Sequence, residues 1–156
     1  MADGVESKPP VILATVLDTE DARGLAEFYR ELFGLTYRPG DGPPPAGQPD
    51  PQGQEWLVLV DPNGHYRLGF QQIAHSPPAT WPEGPRPQML HLDTMVPTID
   101  DLLVQRQRAL DLGAAELQDR SDDPEEPMFV LADPAGHPFC IVVVEKLTAA
   151  PTAADG

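Results

Sequence analysis

Asp133-Pro134-Ala135-Gly136-His137-Pro138-Phe139-Cys140-Ile141-Val142-Val143-Val144-Glu145 is the stretch from which the fold is read. Asp and Pro open a tight turn, Gly136 supplies a backbone position with positive φ, and the β-branched run from Ile141 to Val144 continues as a strand. The same text stands 72 residues earlier as Asp61-Pro62-Asn63-Gly64-His65. Each copy follows an apolar run, Trp56 to Val60 in the first and Met128 to Ala132 in the second. Two hairpins written this alike imply a duplicated unit.

Working outward, the pattern around each hairpin repeats. Val11 to Leu17 reads as a strand. A helix follows, with Asp18 or Thr19 as the expected N-cap and Glu20 and Asp21 in its first turn. Ala22, Leu25, Ala26, Tyr29, Leu32 and Phe33 form its apolar stripe, and Gly34 ends it. Leu35–Arg38, Glu55–Val60 and Tyr66–Ile73 are the remaining strands of the first half. In the second half Gln88–Val96 is a strand, Thr98 caps a helix ended by Gly113, and Ala114–Leu117, Met128–Ala132 and Phe139–Glu145 are strands. Each half thus reads strand, helix, then three strands. The copies are offset by 79 at the helix-ending glycines and by 72 at the turns. The difference falls in Pro39–Gly53, whose six prolines and four glycines predict a long exposed loop.

The expected organisation is one domain, residues 9–147, built of module 1 (9–75) and module 2 (88–147). A Pro-rich linker (76–87) joins them, and 1–8 and 148–156 are flexible termini. The formal net charge of −15 argues against nucleic acid or anionic membranes as partners. One cysteine excludes an intrachain disulfide and fits a reducing compartment, so a cytoplasmic location is expected. No apolar run is long enough to span a membrane, and residues 1–8 lack the layout of a signal peptide.

Paired βαβββ units resemble the vicinal oxygen chelate superfamily: glyoxalase I, bleomycin-resistance proteins and extradiol dioxygenases. The residues that carry the resemblance are Asp21-Ala-Arg-Gly-Leu-Ala-Glu-Phe-Tyr-Arg-Glu-Leu-Phe-Gly34, His91-Leu92-Asp93 with Val96, and Asp133-Pro-Ala-Gly136. Phe70-Gln71 and Phe139-Cys140 are similar to the glyoxalase-like branch in particular. The resemblance implies an α+β fold of two tandem modules forming a curved mixed sheet with helices outside.

It also implies where a metal would sit, since the enzymes of the superfamily hold a divalent ion with one His, Gln or Glu from each of four strands. Carried over by position, the four places fall on Ala14, Leu68, His91 and Cys140, with a bulge in the first module able to bring Gln71 or Gln72 nearer. Only His91 matches, so no metal and no cofactor is expected. The Cys140 thiol reads equally as a small buried hydrophobe.

Strand alternation places His91, Asp93 and Met95 on one face and Leu90, Leu92, Thr94 and Val96 on the other. His91 and Asp93 are the candidate catalytic pair, able to hydrogen-bond a substrate or exchange a proton with it; the alternative is a polar pair that fixes the module interface. Phe70, Gln72, Cys140 and Trp81 join them as candidate ligand-binding residues, Trp81 as a lid or as a pin for the linker. Trp56 reads as core, and His65 and His137 as surface turn residues.

Two functions follow as expectations. One is binding or sequestration of a small organic ligand at a degenerate metal site. The other is a lyase or isomerase acting on a small oxygenated substrate, without metal or with an atypical one. A homodimer is expected, because each half has a single helix to cover its sheet.

Overall fold

The computed structural model describes residues 7–145. Eight strands and two helices follow one another as β1 (Thr15–Thr19), α1 (Ala22–Phe33), β2 (Thr36–Tyr37), β3 (Trp56–Val60), β4 (Tyr66–Gln72), β5 (Leu92–Val96), α2 (Ile99–Asp111), β6 (Ala115–Arg120), β7 (Met128–Ala132) and β8 (Pro138–Val143). They form two four-stranded mixed sheets, ordered β1-β4-β3-β2 and β5-β8-β7-β6. In each, the first strand runs parallel to the fourth, while the other pairings are antiparallel. The fold is α+β, two tandem modules of the expected kind.

Both first strands are shorter than their apolar runs. Thr15 pairs with Leu68 and Leu92 pairs with Phe139, and no strand lies opposite the residues before them. Val11, Ile12 and Leu13 therefore stand exposed at 86%, 95% and 67%, and Met89 and Leu90 are exposed as well. Helix α1 begins later than its acidic run suggests. Asp21 is the N-cap, its carboxylate accepting from the Gly24 amide at 2.9 Å. Thr19 stays in β1, where its hydroxyl accepts from the Asp21 amide at 3.0 Å, so neither Glu20 nor Asp21 enters the first turn. The Thr98 cap of α2 and the left-handed Gly34 after α1 stand as read. The flexible termini expected from composition lie largely outside the described residues.

Pro39–Gly53 is not a free loop. Asp41 is buried and its carboxylate accepts from the Val58 amide at 2.8 Å and from Arg38. Arg23 on α1 donates to the Asp41 carbonyl at 2.7 Å and to Asp50 at 2.8 Å. Proline and glycine keep the segment irregular up to a 3-10 turn at Gln52–Gln54, and part-buried ion pairs fix it.

One apolar core serves both modules. Tyr29, in α1, packs against Phe70 of its own sheet and against Phe139 of the other, with ring centroids at 6.1 and 6.0 Å. Phe28 also meets Phe139. At the far end of α1, Arg108 of α2 donates to the Leu32 carbonyl at 3.1 Å and to that of Glu31. Those carbonyls have no partner within the helix, so a cation from the second module completes its C-terminus. The helices thus occupy the seam, and the opposite faces of the sheets are left open.

Candidate functional site

Strand β5 carries Asp93, and His91 just before it, to the open face of the second sheet. Asp93 pairs with Cys140 of β8, and Thr94 donates its hydroxyl to the Cys140 carbonyl at 2.8 Å. His91 Nε2 lies 3.2 Å from Asp93 Oδ1. Their ligand atoms and the Cys140 sulfur all lie within 4.8 Å of one another. Burial pushes the Cys140 thiol up to about 11, with the Asp93 charge and hydrogen bond adding to it, so at neutral pH it is protonated. Trp81, from the linker, sets its ring edge-on to His91 at 6.4 Å, on a backbone with φ of +32°.

The first sheet offers no counterpart. A bulge at Leu59/Val60 shifts the pairing by one, so that Gly69 faces Val58 as Cys140 faces Val130. The second metal-ligand position of the superfamily therefore falls on Gly69, while Leu68 is buried in the core. The bulge anticipated in this strand exists, but it brings Gly69 and not Gln71 or Gln72 to the place. A Cβ on Gly69 would meet the Trp56 indole at 3.0 Å, so glycine here lets Trp56 lie against the strand. Trp56 is half-buried on this open face and does not join the core cluster. The four-ligand centre does not fit this chain. What the chain offers instead is a three-donor cluster on one module.

Two expected ligand-binding residues lie elsewhere. Phe70 is fully buried against Tyr29, on the helix side of β4. Gln72 caps α1: its Oε1 accepts from the Ala22 amide at 2.8 Å and its Nε2 donates to the Glu20 carbonyl. Phe70 occupies the place that Ile141 has in the second module, because the bulge moves every later residue of β4 to the opposite face.

A cavity of about 630 Å³ opens between the modules, beneath the linker. Val16 and Leu90 form part of its apolar wall, Pro78 and Arg86 come from the linker, and His91 and His137 both line it. The linker is held down at Gly136, whose φ is +92° and where an added Cβ would lie 2.2 Å from the Pro78 Cβ.

His137 is thus no surface turn residue. Its side chain is 26% exposed, and Nδ1 lies 2.8 Å from Asp133 Oδ2. Asp133, with a fully buried side chain, also accepts from the Tyr29 hydroxyl at 2.8 Å and from the amides of Ala135 and His137 at 2.9 and 3.0 Å. Burial pulls the His137 pKa down, but the hydrogen bond and charge of Asp133, with smaller contributions from Asp18, raise it overall. His65, in the first copy of the turn, is 70% exposed as expected; its Nδ1 lies 3.4 Å from Asp61, which is paired more closely with Arg67 at 2.7 Å. The two turns share Asp-Pro-x-Gly-His, which conceals this difference; its sequence signals are Arg67 after the first turn and Tyr29, which reaches the second.

The model of the glyoxalase-like domain family matches residues 14–142. No curated protein sequence matches the chain. Among solved structures, a glyoxalase/bleomycin resistance protein/dioxygenase family enzyme from Burkholderia phytofirmans PsJN is similar at a TM-score of 0.60 and 17% identity, covering 85% of this chain and 97% of that one. A lactoylglutathione lyase from Agrobacterium tumefaciens gives 0.54 and 18%, covering 88% and 97%. The fosfomycin resistance protein FosX from Mesorhizobium loti gives 0.58 and 12%, covering 91% and 97%. Identities this low show a shared fold alone. On the family match over most of its length, the chain belongs to the glyoxalase-like domain family.

Proposed function

We propose that the protein binds a small organic molecule in the cavity beneath the linker, with His91 and His137 as its polar contacts. The observation that carries this reading is the cavity itself: about 630 Å³, apolar for most of its wall, with two imidazoles converging on it. Few polar groups in an apolar concavity is the usual makeup of a small-molecule site. The absence of any donor at Ala14 and Gly69 supports binding over metal-assisted turnover. A thermal-shift screen of small aromatic and oxygenated compounds tests it. A ligand at 100 times its Kd adds about 2.7 kcal/mol of stability, and a screen with no hit that depends on His91 would sink the reading.

The cluster of His91, Asp93 and Cys140 favours a second reading, a lyase or isomerase with an atypical metal site. Three protein donors with an open position are the pattern of catalytic zinc. Metal analysis of the purified protein, with and without added zinc, nickel or manganese, separates the two.

A second copy of the chain is the partner this reading calls for. Val16 faces Gly69 as Asp93 faces Cys140, an offset of 77, which makes Ile12 and Leu13 the counterparts of Met89 and Leu90. These exposed apolar pairs extend the two free edge strands, and residues 9–17 and 87–92 hold no Asp, Glu, Lys or Arg. Twofold pairing of one copy's β1 edge with the other's β5 edge covers both at once.

A further inference from the structure

The Asp-Pro-x-Gly-His turn occurs twice, and its carboxylate has different company in each. In the first copy Asp61 pairs with Arg67, a permanent cation, at 2.7 Å, the His65 ring stands off at 3.4 Å, and no side-chain hydrogen bond joins Asp61 to the second module among the described residues. In the second copy Asp133 pairs with His137, a titratable one. Here the carboxylate also receives the Tyr29 hydroxyl from α1 of the first module, and Asp18 on β1 lines the same cavity as His137. The first module therefore reaches the imidazole through the Tyr29–Asp133 bond, and Asp18 of β1 stands in the wall of the same cavity.

We propose that His137, as an imidazolium, is a pH-sensitive clasp that locks the β7–β8 turn to the first module and so fixes the wall of the cavity that this turn forms. The consequence for binding rests on the cavity reading above; the clasp itself does not. The charged and titratable groups that face His137 are Asp133 on its own turn, Tyr29 on α1 and Asp18 on β1, with Arg86 and His91 lining the same cavity. Asp133 and Asp18 favour the cation. Tyr29 keeps its proton, because burial, then Asp133, holds its pKa well above the usual value for tyrosine.

The direction follows from linkage. A histidine whose pKa is raised in the folded chain contributes stability that is fully present below its unfolded value of 6.5. That contribution is lost as pH rises through the folded pKa. The clasp is closed below pH 6.5 and loosens as pH rises through the raised pKa. Arg67 in the first module gives no such dependence.

His137→Asn keeps a donor near the Nδ1 position but cannot carry charge. Melting temperatures from pH 5.5 to 9 are measured for both proteins without ligand. The wild type is expected to lose at least about 2 °C more than H137N between pH 6.5 and 9, with the two curves converging at high pH. NMR titration of the His137 ring in the wild type, expected to show a midpoint above 6.5, decides the matter if H137N does not fold. Parallel melting curves, or a midpoint at or below 6.5, would overturn the proposal. A ligand screen that finds nothing removes the cavity reading and leaves this result untouched.

Discussion

The Tyr29 hydroxyl and the Asp133 carboxylate, 104 residues apart in the chain, meet at 2.8 Å in the buried seam between the modules. This bond joins the stripe of the first helix to the turn of the second hairpin. Its partners cannot be hydrated once the core is formed. Tyr29→Phe leaves the ring packing intact and removes one donor from a buried carboxylate. Chemical denaturation should show a loss of about 1–3 kcal/mol, and an unchanged midpoint would mean that the bond contributes nothing net.

Gly136 and Gly64 hold the same place in the two turns, with φ of +92° and +80°, but only Gly136 has the linker against it. Gly64→Ala should cost about 1 kcal/mol, from backbone strain alone. Gly136→Ala adds the collision with Pro78 and should cost clearly more, with the linker becoming sensitive to limited proteolysis. Equal losses for the two variants would show that the linker is not pinned there.

The Cys140 thiol, pushed up to about 11, should alkylate slowly at pH 7 and increasingly fast as pH approaches that value. Iodoacetamide labelling followed by mass spectrometry measures it. Rapid labelling at pH 7 would mean an accessible thiolate and would overturn this reading of the site.

Purified protein should carry less than one divalent ion per chain, because the first module supplies no donor at Ala14 or Gly69. Full occupancy, lost in His91→Ala, would transfer the weight to the enzyme reading.

His91→Ala should weaken binding of a confirmed ligand about tenfold or more, while His65→Ala, far from the cavity, should leave it within about twofold. Sedimentation should give a dimer that Leu13→Asp together with Leu90→Asp dissociates. A monomer for the unaltered chain at tens of micromolar would count against the edge pairing.

The architecture was legible because duplication writes itself twice. Strand periods, the Gly34 and Gly113 stops and the repeated turn each had a partner to check against. Of the site, His91, Asp93 and Cys140 were legible together, since alternation along one strand and the register of its parallel neighbour fix their common face. Phe70 and Gln72 were not, because one bulged residue near Arg67 reverses the faces of β4, and no residue type announces a bulge there. His137 was misread for another reason. A turn shows its own geometry in sequence but not what the rest of the fold brings against it, here Tyr29 and the linker at Pro78. The late start of α1 is a third case: Thr19 suits a cap, yet pairing with Gln72 holds it in β1.

The fit of Trp56 against Gly69 bears on how this lineage can change. A ligand in the first module would mean His or Glu at 69, but a Cβ there already crowds the indole at 3.0 Å. Shrinking Trp56 first gains nothing while position 69 is still glycine. Neither step helps without the other, and Ala14 would have to change as well. A four-ligand centre in this chain would therefore take concerted changes at positions 14, 56 and 69, out of reach of any single substitution.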